Sequence, residues 1–210
     1  MVEFIDNLSQ FLAALITGCI TGILYCRNRR QPYFLLTCFY GCFALGGLYW
    51  TLYYLLFAET PQIFYVSETG WIASFIFLYL LQYTLSDEGE RTFRCRASWL
   101  APLVGIPLLV FYCIHGDVPS NVCMCGITMA ILWFAIRGIA YHRGQKDMAS
   151  QNLRRFHMLT AALVITEYCL WTASCFWVSD TLTNPYFWFD FLLTALLCGL
   201  LPVVRKAVEP

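Results

Sequence analysis

The chain has 210 residues, 60% of them hydrophobic and only 12% charged, and its thirteen Lys and Arg balance thirteen Asp and Glu. A soluble domain carries about 25% charged residues, so this composition excludes an ordinary water-soluble globule. Seven helices of about 20 residues would consume roughly 140–150 residues, which leaves short loops and no room for a separate soluble catalytic or DNA-binding domain.

The first apolar run, residues 8–25, is expected to span the membrane rather than to be a cleaved signal. Its leading segment carries Glu3 and Asp6 instead of basic residues, and no small-x-small cleavage site follows. Gly18 and Gly22 stand four apart, a spacing suited to close helix contact. Span two covers 33–57, with Gly46 and Gly47 at its middle, Pro61 after its end and a connection over 62–67. Span three covers 68–85 and leads into a charged turn over 86–96. Span four, 97–114, contains Pro102 and Pro107, each of which removes a backbone donor and permits a kink. Span five covers 122–141. The basic stretch 142–156 is expected to be the longest loop, with some helix at the membrane surface. Spans six and seven cover 157–178 and 186–204.

The basic residues fall in alternate gaps. Arg27, Arg29 and Arg30 follow span one; Arg91, Arg94 and Arg96 follow span three. Arg137, Arg143, Lys146, Arg154 and Arg155 surround the fifth gap, and Arg205 and Lys206 follow span seven. Such a bias predicts an all-α, polytopic bundle of seven transmembrane helices in one domain, with the N-terminus outside and the C-terminus in the cytoplasm. Basic residues used as topological anchors argue against a nucleic-acid surface. Membrane lipid is the first expected partner.

Glu167 carries the strongest functional signal. It lies about ten residues, roughly 15 Å, into span six, where a carboxylate is costly and faces the bundle interior or a water-filled cavity. Asp190 lies in the first turns of span seven, and Glu68 and Trp71 open span three from the same side. On span two, Tyr49 and Tyr53 share one face, as do Trp50 and Tyr54. Trp171 follows Glu167 by one turn, with Tyr168 beside it. Together, Glu167, Asp190, Glu68, Trp71, Tyr49, Trp50, Tyr53, Tyr168 and Trp171 suggest an outward aromatic-acidic pocket. Its expected ligand is a cationic or amphipathic small molecule held by charge and cation–π attraction. A purely structural account remains open: aromatic interface packing, a protonated Glu167 and a capping Glu68.

No cofactor is expected. His115, His142 and His157 have no ligand spacing with one another, so the sequence suggests no metal site. The eleven cysteines read as small apolar packing residues, and spacing within one helix sets Cys123 and Cys125 apart. Arg137 is expected to reach toward lipid phosphates, near Gln82 and Tyr83.

The run Gly46-Gly47-x-Tyr-Trp, continuing through Thr60-Pro61, Tyr65-Val66-Ser67-Glu68 and Trp71-Ile72-Ala73-Ser74, resembles segments of uncharacterised seven-helix bacterial integral membrane proteins. This resemblance implies a sensory module in the cytoplasmic membrane. The leading expectation is therefore a small-molecule receptor, read by a cytoplasmic protein partner through 142–156. A small-solute or cation-coupled transporter is the alternative, with proline kinks and Glu167 serving alternating access. A lipid-modifying enzyme or an assembly protein ranks lower, because no catalytic motif such as His-Glu-x-x-His or Gly-x-Ser-x-Gly occurs.

Overall fold

The structure, a computed structural model, describes every residue except 1, 58, 60, 62–64 and 210. The described residues form helices and turns only. The elements are α1 (Val2–Asn28), α2 (Gln31–Phe57), α3 (Tyr65–Leu85), a short α4 (Glu88–Thr92), a 3-10 turn (Arg96–Trp99), α5 (Leu100–His115), α6 (Val118–Tyr141), α7 (Met148–Ser174) and α8 (Pro185–Val208).

Among the described residues, six segments are long and apolar enough to cross a membrane: α1, α2, Arg96–His115, α6, α7 and α8. The chain is thus an integral, multi-pass helical membrane protein. Helix α3, 21 residues long, is not among these six and carries Glu68, Gln82 and several hydroxyl residues.

The helix ends follow local chemistry. Asp117, Asp147 and Asn184 cap α6, α7 and α8 by accepting from the backbone N–H of Ser120, Ser150 and Tyr186, and Pro occupies the first turn of α6 and α8. The Asp147 cap starts α7 nine residues before the expected span, so the connection from α6 shortens to 142–147. Helix α7 also ends at Ser174, short of the expected 178. Helix α1 begins at Val2, which makes Glu3, Asp6, Asn7 and Gln10 helical. Pro102 lies in the first turn of α5, where its missing N–H costs little, whereas Pro107 lies inside a helix that continues through it. Of the expected 62–67 connection, 62–64 lie outside the described residues and the remainder belongs to α3.

Chain direction alternates from one long helix to the next. One end of the bundle therefore gathers the basic residues, and the other gathers Glu3, Glu68, Asp117 and Asp180. Contacts run in a ring: α1 against α2, α2 against α3, α3 against α6, α6 against α7, α7 against α8 and α8 back to α1. Helix α5 packs outside this ring, on α6. Its exposed Leu103, Ile106, Val110 and Ile114 recur at helical spacing and form a lipid-type face.

Polar ties hold the ring. Tyr40 Oη donates to Leu197 O (2.6 Å), joining α2 to α8. Tyr112 Oη donates to Tyr168 O (2.9 Å), joining α5 to α7. At the basic end Arg30 Nη1 donates to Val208 O (2.5 Å) and Asn152 Nδ2 to Lys206 O (2.9 Å). Toward that end the interior is closed by Leu36, Phe39, Tyr40, Leu78, Leu81, Phe156 and Leu200, all buried. Gly18 and Gly22 meet Tyr40 and Thr37 across the α1–α2 contact.

Helices α2 and α3 approach backbone to backbone at their glycines. A Cβ on Gly70 would lie 2.9 Å from Cys42 O and 3.0 Å from Gly46 N. We expect Gly70→Ala to destabilise the bundle by about 1–3 kcal/mol, as overpacking does. A Cβ on Gly126 would meet nothing within 4 Å, so Gly126→Ala should be neutral. Unfolding midpoints in detergent compare the two; equal midpoints would contradict this packing.

Candidate functional site

At the acidic end the ring opens into a cavity of about 540 Å³, to which all seven long helices contribute. The size falls within the range of roughly 300–1,000 Å³ usual for small-molecule pockets. Helix α1 supplies Glu3, Asn7 and Gln10, α2 supplies Phe43 and Trp50, and α3 supplies Glu68 and Trp71. Tyr112 and His115 come from α5, Ser120 and Asn121 from α6, Glu167, Leu170 and Trp171 from α7, and Tyr186, Phe187 and Asp190 from α8. The connection between α7 and α8 adds Trp177 and Asp180.

The cavity brings together six of the nine residues singled out from the sequence: Glu167, Asp190, Glu68, Trp71, Trp50 and Trp171. Tyr49, Tyr53 and Tyr168 are not among its lining residues. Tyr49 and Tyr53 pack with tilted rings along α2 (centroids 6.2 Å apart), and Tyr53 packs likewise on Phe57 (4.8 Å). Tyr168 is buried, with its hydroxyl 3.0 Å from Thr128 Oγ1, and joins α7 to α6. Its backbone carbonyl, not its ring, holds Tyr112 beside the cavity.

The cavity lining includes six carboxylates, from Glu3, Glu68, Asp117, Glu167, Asp180 and Asp190, and no Lys or Arg. Asp190 is buried and accepts a hydrogen bond from Gln10 Nε2. Asp6, one turn before Gln10 on α1, is fully buried and sets its carboxyl group against that of Asp190. Ser120 Oγ donates to Glu68 Oε2 and ties α6 to α3. Glu167 is buried and its Oε2 has no hydrogen-bond partner; nor does the buried Nε1 of Trp71. These atoms offer an acceptor and a donor at the cavity wall. The indoles surround the acids: Trp50 stands 6.3 Å from Trp71, and Trp171 packs edge-on against Tyr112 at 5.7 Å. A desolvated, acidic, aromatic-walled space suits a cation with an apolar body.

The α1 contribution escaped the sequence reading because Glu3, Asp6 and Asn7 precede the expected span 8–25 and Gln10 stands in its first turn. Their spacing of three, four and seven is itself a helical-face signal.

The basic end holds a second cluster, in which two histidines that show no ligand spacing in the sequence meet in space. His142, after α6, and His157, on α7, converge on Glu90 of α4. His142 Nε2 lies 3.2 Å from Glu90 Oε2, and His157 Nε2 lies 3.1 Å from Glu90 Oε1. All three side chains are buried. Ser86 Oγ donates to Glu90 Oε1 (2.9 Å), and Asp87 caps α4 through the Glu90 N–H. Burial alone would raise the Glu90 carboxyl. The contacts from His142 and His157, followed by Ser86, outweigh it and hold the carboxyl down at about 2. Burial would conversely lower His142, but its contact with ionised Glu90 raises it above its ordinary value. His115 remains apart at the acidic end, its Nδ1 2.9 Å from Phe111 O. Arg137 also reaches α4: its Nη1 donates to Arg91 O (2.9 Å) and its guanidinium lies over the Phe134 ring. All eleven cysteines are free thiols.

No family model matches the chain, and neither the curated proteins nor the solved structures compared with it give a match.

Proposed function

We propose that the protein is a small-molecule receptor or sensory module of the cytoplasmic membrane. In this reading it spans the bilayer seven times, counting α3, with the acidic end outside and the basic end in the cytoplasm. Its ligand is an organic cation with an apolar or amphipathic body, bound among Glu167, Asp190, Glu68, Trp50, Trp71 and Trp171. The carrying observation is the cavity of about 540 Å³ that gathers six carboxylates without a lysine or arginine among its lining residues. The resemblance to uncharacterised seven-helix bacterial proteins supports the same sensory reading.

Receptor is favoured over transporter because the cavity ends on buried core. Phe39, Tyr40, Leu78, Leu81 and Phe156 fill the interior toward the basic end. Binding energy gathered at the acidic end would reach a cytoplasmic partner through movement of α7, whose first turns belong to the basic segment 142–156.

The test is titration of the purified protein in detergent with tetraphenylphosphonium, followed by tryptophan fluorescence. Saturable quenching is expected, with no competition from tetraphenylborate, an anion of similar shape. Equal responses to both ions would reject a cation pocket. Probe flux in sealed proteoliposomes would move the assignment to a transporter.

A further inference from the structure

We propose that Glu90, His142 and His157 form a binding site for a divalent transition-metal ion of the zinc class, which clamps α4 to the neighbouring ends of α6 and α7. One ligand atom from each residue lies within 4.8 Å of the other two. A tetrahedral zinc ion with bonds of about 2.0–2.1 Å keeps its ligand atoms about 3.3 Å apart. The two nitrogen–oxygen separations here are 3.2 and 3.1 Å, one to each oxygen of the Glu90 carboxylate, so an ion between the imidazoles would draw on both oxygens or pull the three side chains slightly inward. Two imidazoles and one carboxylate suit zinc or cobalt better than calcium or magnesium, which prefer oxygen alone.

The hydrogen bonds around His142 show why a positive centre is needed. Gln145 Nε2 donates to Tyr141 O (3.3 Å), which fixes the orientation of that amide. Gln145 Oε1 consequently faces Ser150 Oγ and, at 3.4 Å, His142 Nδ1. An amide oxygen only accepts, so Nδ1 carries the proton. In a neutral imidazole Nε2 then presents a lone pair, and it faces the carboxylate of Glu90. Two acceptors at 3.2 Å require a proton or a metal ion between them.

A proton on His142 Nε2 resolves the first contact, and an Nε2–H tautomer of His157 would resolve the second only if that N–H pointed at Glu90 Oε1. His157 is fully buried, and neither of its ring nitrogens makes a hydrogen bond, although Nε2 is 3.1 Å from Glu90 Oε1. A metal ion takes the lone pairs of both Nε2 atoms and the charge of the carboxylate together. The surroundings supply the orienting hydrogen bonds that metal ligands require: Gln145 on His142 and Ser86 on Glu90. Gly138 provides the space, since a Cβ there would lie 2.4 Å from the His157 ring. Three protein ligands leave the fourth position of a tetrahedral ion to a water molecule, and their burial where α4, α6 and α7 meet lets the ion join the short α4 to the ring.

The full-length chain, purified in detergent with any affinity tag removed, tests this by elemental analysis and by absorption after Co²⁺ loading. About one ion per folded chain and the intense visible bands of tetrahedral cobalt are expected. Gln145→Ala and Ser86→Ala keep all three ligands and should weaken Zn²⁺ binding by about 10- to 100-fold. His157→Ala should abolish the stoichiometric ion. A folded wild-type protein that takes up neither Zn²⁺ nor Co²⁺ would reduce the cluster to a proton-bound ion pair. So would metal content unchanged by His157→Ala. Both measurements are independent of the cavity at the other end.

Discussion

Glu90→Ala is expected to cost about 3–5 kcal/mol of stability, the usual penalty for removing one partner of a buried charge cluster. Glu90, His142 and His157 are all within 2% of complete burial. Without the carboxylate, two imidazoles remain in a dry site with nothing opposite them, and α4 loses its principal anchor. Ser86→Ala removes one hydrogen bond to a charged group and should cost about 1.5–3 kcal/mol. Asp87→Ala removes the α4 cap and should cost about 1 kcal/mol. The order Glu90, Ser86, Asp87 follows from burial and charge alone, and it holds whether a proton or a metal neutralises the site. Chemical unfolding in detergent micelles measures it. The double variant Glu90→Ala/His142→Ala should be less destabilised than the sum of the single ones, because the two groups share one interaction. A loss below about 1 kcal/mol for Glu90→Ala would mean that α4 does not depend on this cluster, in conflict with its buried geometry.

The helices themselves were legible because a bilayer demands about 20 apolar residues for each crossing. The faces of those helices were harder to read. Helix α2 is apolar all round, so Tyr49 and Trp50 look equivalent in sequence, yet Trp50 lines the cavity and Tyr49 does not. An amphipathic pattern separates water from core, but in a bundle both lipid and interior favour apolar side chains. Polar residues inside spans are the better guide, since lipid excludes them. Glu167 and Asp190 were found that way, and Gln10 could have been. The first turns of α7 were hidden for the opposite reason: Gln151, Arg154 and Arg155 look like loop, although Asp147 supplies a helix cap. Glu90, His142 and His157 were invisible as a group because chain spacing does not report the meeting of three elements in space.

Asp190→Asn should separate function from stability at the acidic end. Asp6 and Asp190 interact while both are buried, with Glu167 also in the cavity wall. Like groups placed so close repel whenever more than one is ionised, so a fold selected for stability alone would not gather them. Removing one acid should leave the empty protein as stable as before or more stable, by about 0.5–2 kcal/mol, the gain seen when functional strain is relieved. Gln10 still has an oxygen opposite its donor in the Asn variant, so the α1–α8 tie persists. A bound organic cation, however, loses a charge-assisted partner worth about 1.5–3 kcal/mol, which corresponds to roughly 10- to 100-fold in affinity. Glu167→Gln should behave in the same direction. The two quantities are read on the same sample, by unfolding midpoint without tetraphenylphosphonium and by its dissociation constant. A purely structural acid gives the reverse pattern: lower stability and an unchanged dissociation constant. Because the receptor reading requires affinity and stability to move in opposite directions, a parallel loss of both would remove Asp190 from the binding site.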